Sequence, residues 1–175
     1  MPDLRERIQD DENAFQRLLE AIPGFDGYRE REIRRTADKL VRDQLVAELD
    51  DVRDALKGTV AAWAQASRLS ELPEIDRISQ LLGKVRDNIR FADYGYTGFF
   101  DAVKIREDQL DRLYEYDLSL KAQIADCSTA ITALGAADAA DAAEKLQAAE
   151  AAIKQLQGLV DRREEVASSL VADTL

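Results

Sequence analysis

Any chemistry performed by this 175-residue chain would have to come from its 35 carboxylates and a single thiol, because it contains no histidine. Without imidazole there is no Ser-His-Asp triad, no Cys-His dyad and no Glu-x-x-His di-iron motif. A structural zinc site needs several Cys or His ligands, and Cys127 stands alone. Gly95 and Gly98 are not followed by the Lys-Ser/Thr of a phosphate-binding loop, and no dinucleotide fingerprint occurs. Adjacent carboxylates such as Asp50-Asp51 or Glu164-Glu165 could in principle serve as acid and base or hold Mg2+. On long amphipathic helices such pairs are ordinarily a solvated face, and that is how they are read. Cys127 falls on the apolar stripe of its segment, so it is read as a buried, inert thiol. The expectation is a protein that is not an enzyme and uses no metal or cofactor. A carboxylate- and Mg-dependent enzyme is the weakest alternative.

Residues suited to binding are easier to find. Phe91, Tyr94, Tyr96, Phe99 and Phe100 fall within ten residues, although the whole chain has only five Tyr, five Phe and one Trp. Tyr is rigid and amphipathic and suits contact hot spots. The plainer reading is that these rings plug one end of a helical bundle, with Phe99 and Phe100 in the core. Tyr94 and Tyr96, beside glycines, are the partner-binding candidates. A second candidate is basic. Arg29, Arg31, Arg34, Arg35, Lys39 and Arg42 stand among Glu30, Glu32 and Asp38, an excess of three positive charges. Residues 43–56 then carry five acids against Arg53 alone. Cations near a helix N-terminus oppose its dipole, so local helix stability does not explain them. An acidic partner or an anionic lipid surface would, and so would pairing with acidic helices of this chain or of a second copy, which is the favoured reading.

The chain-wide balance narrows the options. A net charge of −11 and a pI near 4.6 argue against a nucleic-acid binder and against wholesale adsorption to anionic membranes. One cysteine forms no intrachain disulfide, which fits a reducing compartment. The start, Met1-Pro2-Asp3-Leu4-Arg5-Glu6-Arg7, has no apolar core of a signal peptide, and no stretch approaches a membrane span. A cytoplasmic protein is expected.

Helices must position these residues. With 8 Gly and 3 Pro, the chain has few breakers. Helical spacing of Leu4, Ile8, Phe15, Leu18, Leu19 and Ile22 predicts an amphipathic helix over 1–22, ended by Pro23-Gly24. Its acidic polar face favours docking on the bundle or on a neighbouring subunit over a membrane. A long helix is predicted over 26–69 on the stripe Ile33, Ala37, Leu40, Leu45, Leu49, Val52, Leu56, Val60 and Trp63. At about 60 Å it needs a partner helix along its length. Pro73 opens the next helix, 74–92, with Ser70 as N-cap and Ile75, Ile78, Leu82, Val85, Ile89 and Ala92 in heptad steps. An aromatic loop at 93–98 follows.

The last two predicted helices, 99–134 and 138–172, are divided by Gly135 as a C′ cap, with Asp138 or Asp141 capping the second. Val103, Leu110, Leu113, Leu120, Ile124, Cys127, Ile131 and Leu134 line one stripe. Leu146, Ala149, Ile153, Leu156, Val160, Arg163, Ala167 and Leu170 line the other, where Arg163 is the one polar member and either fixes register or lies at a wet edge.

The sequence therefore predicts a single all-α domain, an elongated bundle of about five helices with long antiparallel coiled-coil hairpins. Its expected role is a non-catalytic interaction module, a scaffold, adaptor or assembly subunit that also self-associates. A peripheral membrane scaffold using the basic stretch is the runner-up. The order in which the helices pair is not readable from these patterns.

Overall fold

A computed structural model describes residues 31–92 and 107–172, with side chains described over 39–92, 114–163 and at 165. Among them the chain forms four helices and no strand: α1 (Arg31–Gln65), α2 (Leu72–Phe91), α3 (Glu107–Ala136) and α4 (Ala142–Ala172). The expected helix over 1–22, the first residues of the predicted 26–69 helix, and the 93–98 loop lie outside the described residues.

The cross-section is a square. α1 packs against α2 and α3, and α4 packs against the same two. Directions follow from the side-chain pairs. Glu48 meets Lys121 and Thr59 meets Gly135, so α1 and α3 run parallel. Arg77 meets Glu150 low in both chains of numbering, while Ile89 and Val160 line one cavity, so α2 and α4 are parallel too. Asp50 meets Arg86 across the antiparallel α1–α2 pair. Two antiparallel pairs therefore stand side by side with both of their short connections at one end of the bundle.

Apolar stripes at three-four spacing dictate this arrangement. Val41, Leu45, Leu49, Val52, Leu56 and Trp63 from α1 meet the five buried residues of α2, namely Ile75, Ile78, Leu82, Val85 and Ile89. α3 contributes Leu120, Ile124, Cys127, Ile131 and Leu134, and α4 contributes Leu146, Ala149, Ile153, Leu156 and Val160. The 35-residue α1 is about 52 Å long, and from Val41 to Trp63 its stripe is covered within the chain.

Several local expectations change. Val41, not Leu40, is the inward residue, and Leu40 is 36% exposed. Thr59 replaces Val60 at the core position one turn before Trp63, its hydroxyl donating to the Ala55 carbonyl at 3.2 Å. Gly135 does not cap α3, which continues to Ala136. A Cβ on Gly135 would lie 3.0 Å from Thr59 Oγ1, so glycine there lets α1 and α3 approach closely. Glu71, not Ser70, is the N-cap of α2, with Pro73 in the first turn where its missing N–H costs nothing. Asp138 Oδ1 accepts from the Ala140 and Asp141 amides at 2.8 and 3.1 Å and so braces the turn just ahead of α4.

Candidate functional site

Among the described residues, Phe91 and Arg42 lie at the end of the bundle where α2 stops. Phe91 closes α2. Ile89, two positions earlier, faces the core, and two helical residues turn the chain by about 200°. Phe91 therefore projects from the opposite face and is 54% exposed, with the Arg90 guanidinium 5.8 Å from its ring centre. Tyr94 and Tyr96 follow within five residues and lie outside the described residues. Tyr114, about two turns into α3, is buried.

The basic stretch divides. Arg29 lies outside the described residues. Arg31, Arg34 and Arg35 fall on the first turns of α1, where side chains are not described. Lys39 is exposed, but Arg42 is only 5% exposed and turns into the bundle. It therefore does not belong to a solvent-facing cationic patch. The reason is register: Arg42 precedes Leu45 by three residues, which puts it on the same side of the helix. There it lines a cavity of about 20 Å³ with Leu45, Asn88, Ile89, Ala92, Val160 and Arg163, room for about one water.

Beside that cavity sits a buried ion pair. Arg163 Nε donates to Asp117 Oδ1 at 2.5 Å and Nη2 to Oδ2 at 3.3 Å, with Asp117 2% exposed. Two opposite charges this deep in a bundle offset for each other part of the cost of leaving water. The sequence singled out Arg163 but missed Asp117. The signal was available, since Asp117 stands three residues before Leu120 on the same stripe. Opposite charges at inward positions of two antiparallel neighbours form a pair.

Among the described residues this pair is one of four charged clasps, one on each seam of the square. Arg86 grips both oxygens of Asp50 at 3.0 and 2.9 Å between α1 and α2. Arg77 grips both oxygens of Glu150 at 2.8 and 2.7 Å between α2 and α4. Lys121 donates to Glu48 between α1 and α3. The Arg86 hydrogen bonds, more than its charge or that of Arg53, hold the Asp50 carboxyl below its ordinary range. Asp50 is therefore committed to a seam and is not half of an acid–base pair with Asp51. Such bidentate contacts favour one helix register over its neighbours a turn away.

Cys127 has no exposed surface. Burial first, and then the charge of Asp126, push its thiol up to about 12, so the nucleophilic thiolate does not form near neutral pH. Among the described residues, no group of three or more His, Cys, Asp or Glu side chains is placed to hold a metal ion. No described helix is long and apolar enough to cross a membrane. Comparison with protein-family models, curated proteins and solved structures finds no match to this chain.

Proposed function

We propose that this protein is a non-catalytic interaction module, a scaffold, adaptor or assembly subunit. Its helices serve as a stiff, coiled-coil-like support, and the end of α2 with the aromatic residues that follow it contacts a protein partner. The observation that carries this reading is Phe91. A large aromatic on the outward face of α2, adjoining Tyr94 and Tyr96, adds nothing to the core and suits a rigid contact surface. The use of charge supports the same reading: the described clasps set helix register. Self-association in the cytoplasm belongs to this proposal, with Leu40 and the first turns of α1 as further contact area.

Affinity capture from lysate of the source cells tests it, comparing the native chain with Phe91→Ser/Tyr94→Ser/Tyr96→Ser. The expected result is a specific captured protein that the triple variant loses while its helical circular dichroism is unchanged. Recovery of the same proteins by both chains would overturn the aromatic contact. Light scattering over a wide concentration range addresses self-association, and a strictly monomeric particle would exclude it.

A further inference from the structure

The opposite end of the bundle carries a device that the interaction reading does not require. α1 ends in a motif with two reversed hydrogen bonds, from the Ser67 amide to the Ala64 carbonyl at 3.0 Å and from the Arg68 amide to the Trp63 carbonyl at 2.9 Å. This is the Schellman pattern, and its left-handed position is ordinarily glycine. Here Ser67 holds it, with φ of 59°, a conformation that L side chains resist. The motif normally ends with an apolar residue packed back on the helix. That position is here Arg68, and the next residue, Leu69, is 62% exposed. Its guanidinium lies 3.7 Å from the Trp63 ring centre. Nη1 donates to the Ala137 carbonyl at 2.8 Å and Nη2 to the Asp138 carbonyl at 3.3 Å.

One side chain of the α1–α2 connection is thus bonded to the backbone of the α3–α4 connection. The fit is incomplete: Arg68 Nε is buried without a hydrogen-bond partner, and Glu71 Oε1 stands 3.5 Å away. The strained Ser67 opposes the closed arrangement, while the stack, the two carbonyl bonds and the long ion pair to Glu71 hold it. Strain of this kind persists only where the surroundings over-determine it.

We infer that Arg68 is a strap that closes the connection end of the bundle, and that this end opens as a local unit while the helical core below stays folded. Opening exposes Trp63, the only tryptophan, and frees the carbonyls of Ala137 and Asp138. Native-state hydrogen exchange on the full chain tests it. In the native chain, amides of Ser67, Arg68, Ala137, Ala140 and Asp141 exchange through an opening that leaves the amides of Leu49, Leu82, Ile124 and Ile153 protected. In Arg68→Ala, protection at the five tip amides falls at least tenfold, Trp63 emission shifts to the red, and the core amides keep their protection. Arg68→Lys keeps the charge but loses the planar stack and the fork, so it behaves like Arg68→Ala. Ser67→Gly, which removes the strain without touching Arg68, raises tip protection several-fold. Equal loss at tip and core would make Arg68 an ordinary stabilising residue and overturn the strap, as would tip protection unchanged in both Arg68 variants. If Arg68→Ala does not fold, the native chain decides: tip and core amides exchanging through one common opening would also overturn it.

Discussion

Removing Asp117 tests the account of the bundle interior most severely. Its carboxylate is 2% exposed and receives two hydrogen bonds from Arg163, itself 5% exposed. Asp117→Asn leaves the buried Arg163 guanidinium without the carboxylate it grips. Breaking a buried pair from one side costs about 3–5 kcal/mol. For a chain of 175 residues, where 1 kcal/mol moves the melting midpoint by about 2–4 °C, the lower figure alone implies a fall of about 9 °C. Arg163→Met breaks the same pair from the other side and is expected to cost a similar amount. Asp117→Leu/Arg163→Met, which deletes both charges and keeps apolar volume, is expected to return to within about 1 kcal/mol of the native chain, since well-packed apolar pairs replace buried ion pairs at little cost. Thermal and urea unfolding would be followed by helical circular dichroism and by Trp63 emission, whose coincidence checks that one transition is being measured. If each single variant stays within about 1 kcal/mol of the native chain, the pair is not the buried contact described here. A double variant no better than Asp117→Asn would show that the site depends on the charges themselves.

Other perturbations have signs fixed by the structure. Gly58→Ala and Gly83→Ala place a methyl in open space within α1 and α2 and are expected to stabilise by up to about 1 kcal/mol each, read as a rise in urea midpoint. Gly135→Ala meets Thr59 Oγ1 at 3.0 Å and is expected to gain less than either or to destabilise. The Cys127 thiol is raised above its free value of 9.0 to about 12, so its contribution to stability is complete below pH 9 and is lost as pH rises towards 12. The native chain should therefore lose more stability over that interval than Cys127→Ala, and a thiol reagent should label it only at the rate of unfolding. The Asp50 carboxyl is depressed, so the Arg86 clasp contributes above the ordinary carboxylate value and fades as pH falls through the lowered one. Arg86→Met should flatten that acid limb slightly, because Asp50 is well exposed and the clasp is screened by solvent.

The all-helical class and most of the core were legible in the sequence because both are local. A stripe at three-four spacing, such as Ile75, Ile78, Leu82, Val85 and Ile89, names its own buried face without reference to a partner. Leu146 to Arg163 did the same in α4, including its one charged member. Errors appeared where the inward face is decided by a neighbour. Val41 over Leu40 and Thr59 over Val60 are one-residue choices set by where α2 and α3 lie against α1. Arg42 was read together with the five basic residues before it, and only packing set it apart by turning it inward. The parallel stacking of α1 on α3 and α2 on α4, the four clasps, and the reach of Arg68 across 69 residues to Ala137 join positions far apart in the chain. No periodicity encodes such contacts. Periodicity fixes what each helix must hide, and tertiary packing chooses what hides it, because an apolar stripe is satisfied by any apolar partner while a fork of Arg donors is satisfied only by acceptors at one register.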